Sequence, residues 1–111
     1  MTSNKLSYVG LAFKAGKTLC GTAACEKGIK NGKITLLLIQ DCISAGSEKH
    51  FRLLCSRHNV ALRKVKETLG EAIGRDGIMV IGITDTGFKK AILNIEDSIE
   101  GVAKNEQNKD Y

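Results

Sequence analysis

Two uninterrupted apolar runs constrain the fold of this chain more than any other feature. The run "ITLLLIQ" covers residues 34–40, and "IMVIGIT" covers residues 78–84. Each has the length of a strand, and neither alternates between apolar and polar residues as a strand with one face in water does. Continuous runs of this kind are typical of strands covered on both faces. We therefore predict a small sheet buried between two layers of other structure.

The segments around these runs show helical spacing. Three of the predicted helices cover residues 4–16, 22–31 and 66–74. Another is predicted from the apolar stripe Phe51, Leu54, Cys55 and His58. The last is predicted from the inward positions Phe88, Ala91, Ile92, Ile95 and Ile99. Thr22 is the expected N-cap of the second helix, and Gly32 its C-terminal stop. Two shorter strands are predicted at "TLCG" and at "VALRKV", residues 60–65. Strands alternating with helices predict an α/β fold with helices on both faces of the sheet.

The length predicts one domain and no membrane anchor. A chain of 111 residues suits a single core, which we place in residues 1–104, with residues 105–111 as a polar, frayed tail. No apolar run approaches the roughly 20 residues of a membrane span, and the N-terminus lacks the pattern of a secretory signal. Four cysteines without such a signal indicate reduced thiols. We expect a cytoplasmic protein.

The charge is unevenly distributed along the chain. Residues 1–75 carry 13 Lys and Arg against 5 Asp and Glu, a net charge of +8, whereas residues 76–111 carry 4 against 7, a net charge of −3. A basic body with an acidic tail indicates a polyanionic partner, most simply nucleic acid.

The cysteines and histidines do not form a recognisable catalytic or metal motif. Cys20, Cys25, Cys42 and Cys55 make no CxxC pair, so we expect most of them to serve as small buried side chains, without metal or cofactor. The chain has no GxSxG, HExxH or Walker-type loop. Asp41 and Asp85 each follow a buried strand, where we expect them to cap helices. An enzymatic role is not predicted, and a metal or redox role for the cysteines remains an alternative hypothesis.

Two blocks, in a fixed order, carry a family resemblance. The first is "LAFKAGKTLCG", and the second is "LGEAIG" followed by "IMVIGITDTGF", with "LLLIQD" between them. Over residues 5–95 this order resembles the L-seven-Ae/L-thirty-e ribosomal protein family, closest to its small bacterial YlxQ-type branch. The resemblance implies a three-layer α-β-α sandwich with a small mixed sheet. It also implies binding of structured RNA without catalysis.

The resemblance also bears on specificity. RNA-reading members of the family begin their second helix with Gly-x-Asn-Glu-x-x-Lys, in which Asn and Glu contact the sheared G·A pairs of a kink-turn. Gly21 and Lys27 match the Gly and Lys of this pattern, whereas Ala23 and Ala24 stand in place of Asn and Glu. The resemblance therefore implies binding of structured RNA without the Asn and Glu side chains that contact a kink-turn.

The predicted RNA surface combines this helix start with nearby cations. A helix start offers unpaired N–H groups to a phosphate, and small residues allow close approach. The resemblance places the loop before Leu69 and Gly70, "RKVKET", alongside this helix start. The predicted RNA-binding residues are Lys14, Lys17, Gly21, Thr22, Ala23, Ala24, Lys27, Lys30, Arg63, Lys64 and Lys66.

The expected partner is structured ribosomal or other non-coding RNA, together with ribosome or ribonucleoprotein components, and the protein is expected to be a monomer that contacts no membrane. The alternative is a protein-interaction module of the same fold that has lost RNA binding.

Overall fold

The computed structural model describes residues 4–94. Its elements in chain order are α1 (Asn4–Lys14), β1 (Thr18–Cys20), α2 (Thr22–Lys30), β2 (Leu36–Gln40), α3 (Ala45–His58), β3 (Ala61–Val65), α4 (Leu69–Ile73) and β4 (Val80–Ile83). A fifth helix, α5, covers residues 86–94. The predicted order of helices and strands is confirmed. The predicted inward positions of Ile95 and Ile99 and the predicted tail at 105–111 lie outside the described residues.

The four strands form one mixed sheet in the order β1-β4-β2-β3. β2 and β3 are parallel, and β4 is antiparallel to both of its neighbours, so β1, β2 and β3 all run in the same direction. The two apolar runs of the sequence are the central strands β2 and β4, and every residue of both is buried. The prediction of strands covered on both faces is therefore confirmed.

Helices cover the two faces of this sheet in separate layers. On one face α2 and α3 pack against the sheet in a core formed by Cys25, Ile29, Ile34, Leu37, Ile39, Phe51, Leu54, Cys55 and Val80. On the other face α1, α4 and α5 do so in a core formed by Val9, Ala12, Leu36, Leu38, Val65, Leu69, Ile73, Ile81, Ile83 and Ile92. Neighbouring residues of β2 alternate between the two cores, as the pleat of a strand requires. The α-β-α sandwich is confirmed.

Two glycines let α2 pack closely against the sheet. A Cβ on Gly28 of α2 would lie 2.5 Å from Cδ1 of Leu19 and 2.8 Å from Cδ1 of Ile34, and a Cβ on Gly82 of β4 would overlap the same Ile34 side chain. Ile34 is buried, and it fills the space that these two missing side chains leave. The position of α2 above the sheet is thus fixed by the contact of Ile34 with both glycines and of Leu19 with Gly28.

The start of α2 differs from the expectation. Gly21, and not Thr22, is the N-cap, with φ 94° and ψ 161°, and no side chain caps the helix. Gly21 still donates its N–H to the Val80 carbonyl, at 2.9 Å, as a continuation of β1. The chain must turn into a helix immediately afterwards, and the positive φ that this turn needs favours glycine.

Three further local expectations need correction. Asp41 does not cap α3, because the Ser44 hydroxyl accepts a hydrogen bond from the Ser47 N–H at 3.2 Å instead. His58 is exposed at the last position of α3, beyond the buried part of the stripe. The helix predicted over 66–74 is shorter, since α4 starts only at Leu69. By contrast, Asp85 caps α5 as predicted, accepting from the Phe88 N–H at 2.9 Å.

Candidate nucleic-acid interface

The direction of the strands divides the molecule into two ends. At the first end, strands β1, β2 and β3 finish and helices α2, α3 and α4 begin. We call it the helix-start end, and it comprises residues 21–24, 41–44, 66–68 and 79. At the second, the helix-stop end, α1, α2 and α3 finish and the three parallel strands begin; it comprises residues 14–17, 30–35, 57–60 and 84–86. β2 alone separates the two ends by about 17 Å.

The beginning of α2 is the most open helix terminus at the helix-start end. The Cys25 N–H makes the first helical bond, to the Gly21 carbonyl at 3.0 Å. The N–H groups of the residues before it belong to the unpaired first turn. Thr22 and Ala23 are exposed, and Ala24 is half-buried. With no side-chain cap, the positive end of the helix dipole faces outward across small side chains.

A chain of contacts places the turn after β2 beside this helix start. The Val80 carbonyl that accepts from Gly21 follows Met79, and the Met79 carbonyl accepts from the Gln40 N–H at 2.9 Å. Cys42, which is exposed, donates its thiol to the Met79 sulfur at 3.7 Å. Cys42 and Met79 were not among the predicted site residues, because nothing in their sequence context marks them as neighbours of residue 21.

Gln40 fixes the loop between β3 and α4 at the same end. Its buried Oε1 accepts from the Leu69 N–H at 3.0 Å. The adjacent Asp41 N–H donates to the Val65 carbonyl at 2.9 Å. Gln40 therefore holds the first residue of α4. The sequence signal for this role is a polar residue that closes an otherwise apolar run.

The loop itself holds fewer cations than predicted. Arg63 and Lys64 lie within β3, and only Lys66 lies in the loop. Lys64 contacts Glu48 of α3, with Nζ 3.3 Å from Oε1, and the Arg63 guanidinium donates to the Leu62 carbonyl at 2.9 Å. Hydrogen bonds from Arg52 and Lys64 hold the pKa of the Glu48 carboxyl below its usual value of 4.5. Lys66 is thus the exposed cation that the loop presents at the helix-start end.

The other predicted cations lie elsewhere. Lys27 follows Thr22 by five residues, about 8 Å along the axis of α2. Lys14, Lys17 and Lys30 lie at the helix-stop end, because α1 and α2 finish there. The structure therefore places Gly21, Thr22, Ala23, Ala24 and Lys66 at the helix-start end, and these three lysines at the other end. Within the helix-start end, the α2 start follows the edge strand β1 and Lys66 follows the opposite edge strand β3, about 14 Å away across three strand spacings.

The cysteines provide no shared site. Cys25 is buried, donates its thiol to the Leu19 carbonyl at 3.3 Å, and has its pKa raised to about 12, mainly by burial. Burial raises the pKa of Cys55 to about 11. Both thiols stay protonated at neutral pH, which disfavours metal binding and nucleophilic chemistry. Within residues 4–94 no three His, Cys, Asp or Glu side chains are grouped so that they could hold a metal ion.

Helix lengths bear on membrane insertion. Among the helices of the described part of the chain, none is long and apolar enough to cross a membrane.

Comparison with known proteins agrees with this architecture. The model of the ribosomal protein L7Ae/L30e/S12e/Gadd45 family matches residues 4–93. The chain is 30% identical over 91 residues to the RNA-binding protein YlxQ of Bacillus subtilis (strain 168), covering 80% of this chain and 91% of that protein.

Two solved structures share the fold. A Bacillus halodurans protein of unknown function superposes with a TM-score of 0.82 at 28% identity, covering 86% of this chain and 99% of the other. The 15.5kD RNA binding protein of Giardia lamblia superposes with a TM-score of 0.69 at 20% identity, covering 86% and 84%, and this second likeness concerns the fold alone. Taken with the match over residues 4–93, the resemblance inferred from the sequence is confirmed: the chain belongs to the ribosomal protein L7Ae/L30e/S12e/Gadd45 family, on its YlxQ-type branch.

Proposed function

We propose that this protein is a non-catalytic RNA-binding protein that holds structured RNA at its helix-start end. The observation that carries the proposal is the uncapped, exposed beginning of α2, set among small residues at the end of the sheet where Lys66 also lies. Its Bacillus subtilis relative is an RNA-binding protein, which supports the same class of partner.

The chemistry of this surface favours phosphate over base edges. Unpaired N–H groups and the helix dipole attract an anion without any side chain. Ala23 and Ala24 carry no hydrogen-bonding groups, and their size lets a ribose-phosphate backbone come close. Contacts to phosphate position an RNA but carry no sequence information. The protein therefore recognises the shape of a folded RNA, and kink-turn specificity is not part of the proposal.

We further propose that the RNA belongs to the translation apparatus, either ribosomal RNA or another structured non-coding RNA, and that the protein acts as a monomer in the cytoplasm. The ribosomal proteins that give this family its name support that assignment. A titration against a kink-turn, a plain hairpin and a ribosomal RNA fragment at two salt concentrations tests it. Absence of binding to all three at low salt would contradict the proposal and favour a protein-interaction module.

The Ala23→Asp substitution separates binding from stability. A carboxylate in the first turn of α2 stabilises the helix by about 0.3–1 kcal/mol, because it faces the positive end of the dipole. The same carboxylate repels phosphate, so we expect RNA affinity to fall by roughly tenfold while the melting temperature stays equal or rises. Affinity is measured by fluorescence anisotropy and stability by circular dichroism.

The matched control is Ala45→Asp, which places the same charge in the first turn of α3. Ala45 is also exposed, and α3 is already capped by Ser44. We expect a similar gain in stability and a distinctly smaller loss of affinity. Equal losses for both variants would show that the negative charge acts at long range and that the α2 start is not the contact.

A further inference from the structure

The helix-stop end carries a concentration of positive charge that the proposed function does not use. Five exposed cations lie there, from three different helix ends and two connecting segments: Lys14, Lys17, Lys30, Lys33 and Arg57. Lys33 and Arg57 were not among the residues predicted from the sequence.

Backbone hydrogen bonds hold the segments that carry these residues next to one another. The Lys17 carbonyl accepts from the Thr84 N–H at 2.9 Å, and the neighbouring Ile83 carbonyl accepts from the Thr35 N–H at 2.8 Å. Lys17 and Thr35 thus lie on either side of the end of β4, about 10 Å apart. Lys33 lies two residues before Thr35 in the chain, and its N–H donates to the Gly28 carbonyl of α2 at 2.8 Å. The segments that carry Lys17 and Lys33 therefore lie within about one Debye length of each other, so their charges act together.

Nearby acidic groups neutralise little of this charge. Asp85 is the acidic residue of the helix-stop end as defined, and its carboxylate is occupied by the Phe88 N–H. Glu26 lies 3.8 Å from Lys30 and also contacts His50. For Lys14, Lys17, Lys33 and Arg57, residues 4–94 provide no ion-pair partner. Three helix C-termini contribute roughly half a negative charge each, which leaves the end positive.

We propose that the helix-stop end is a second RNA contact, which binds the phosphates of a segment other than the one held at the α2 start. The inference rests on the proposed function in that the polyanion is RNA. Lys33 precedes β2 and Arg57 precedes β3, whereas the α2 start lies at the far end of these strands, about 17 Å away, so a phosphate held at the α2 start does not reach these two cations. The second contact has cations but no open helix start, so it attracts phosphates without distinguishing among folded RNAs.

The test uses Lys17→Gln, Lys33→Gln and Arg57→Gln, each alone and all three together, in the full chain. The probes are a kink-turn RNA, a plain hairpin and a longer RNA in which a hairpin is joined to a single-stranded arm. Each lost phosphate contact should lower the slope of log K against log salt by about 0.7–0.9 and weaken binding roughly threefold. We expect this loss to be the same for the kink-turn and the hairpin. For the triple variant it should be largest on the longer RNA.

Lys49→Gln is the control, since it removes one exposed cation from α3 away from both ends. It should leave the salt slope unchanged, and circular dichroism should show every variant folded. A triple variant that keeps the parent affinity and slope on all three RNAs overturns the second contact while leaving the proposed function intact. Failure of the parent protein to bind any of the three RNAs overturns both.

Discussion

The two ends of the sheet present positive potential by different means. At the helix-start end the positive charge is partial and fixed, coming from the backbone N–H groups of α2, α3 and α4, and the β3–α4 loop adds Lys66. At the helix-stop end the backbone contributes negative partial charge, and long flexible cations outweigh it. The first arrangement is rigid and close to the surface, whereas the second is mobile and reaches further into solvent.

This difference teaches what each end can discriminate. A rigid backbone cradle rejects an RNA whose phosphates do not fit its geometry, so it contributes to selectivity. Flexible lysines adapt to almost any phosphate arrangement and mainly raise affinity and the rate of encounter. Variants at the two ends should therefore be distinguishable by their effects on preference and on salt dependence.

The largest expected effect comes from Gly70→Ala, which tests whether RNA preference depends on the backbone conformation at the helix-start end. A Cβ on Gly70 would overlap the Arg75 carbonyl oxygen, a backbone atom that accommodates it only by moving the α4–β4 loop. Overpacking of this kind costs about 1–3 kcal/mol. We expect a lower urea midpoint, and loss of preference among RNAs with most of the salt slope retained.

Gly46→Ala is the matched control for that variant. Gly46 lies in α3 and a Cβ there meets nothing within 4 Å. Its replacement should leave stability equal or slightly raised, since alanine is the better helix former. If both glycine variants are equally stable, the close approach at Gly70 does not constrain this end.

An intermediate effect is expected from comparing Lys66→Gln with Lys64→Gln. Lys64 is engaged with Glu48, whereas Lys66 is exposed and has no ion-pair partner among residues 4–94. We expect Lys66→Gln to weaken RNA binding roughly threefold, as loss of one phosphate contact does, and Lys64→Gln to weaken it less. Anisotropy titrations at one salt concentration give the comparison. The reverse order would mean that the Glu48 contact opens when RNA binds.

The smallest effect is a change in thiol reactivity, which tests whether RNA binds at the helix-start end. Cys42 is exposed and close to the α2 start through Met79, so bound RNA should slow its alkylation at pH 8 several-fold. Cys25 and Cys55, with pKa values raised to about 12 and about 11, should react slowly with or without RNA. Mass spectrometry follows each cysteine, and Cys42→Ser identifies the fast site. Unchanged alkylation of Cys42 at saturating RNA would move the contact away from this end.

The sequence predicted the architecture because burial leaves a direct signature. β2 and β4 follow from apolar runs with no polar interruption, and the helices follow from spacing and glycine stops. The Asp85 cap was likewise predictable, since it depends on residues three positions apart. Each of these features is determined by short-range patterns along the chain.

The composition of the site was less predictable, because strand direction decides which residues meet. Lys14 and Lys17 lie close to residue 21 in sequence. Strand β1 nevertheless separates these two lysines from residue 21, because it carries the chain from the helix-stop end to the helix-start end. Cys42 is distant in sequence from Met79, and the Gln40–Met79 pairing brings them together. Arg63 and Lys64 are expected at the RNA surface because the resemblance places the segment before Leu69 there, whereas both belong to β3, an edge strand that accommodates exposed charge.

The contact of Ile34 with Gly28 and Gly82 implies that these three positions vary together. A methyl group added at Gly82 needs the volume that Ile34 occupies, so a tolerated Gly82→Ala change calls for a smaller residue at 34, whereas a methyl group at Gly28 also meets Leu19. Such a paired exchange would restore the spacing between helix and sheet, whereas either change alone would tilt α2 or leave a void. In homologous chains, a larger side chain at one of these positions should therefore accompany a smaller one at another. Such paired substitutions would preserve the orientation of α2 even while its surface residues diverge.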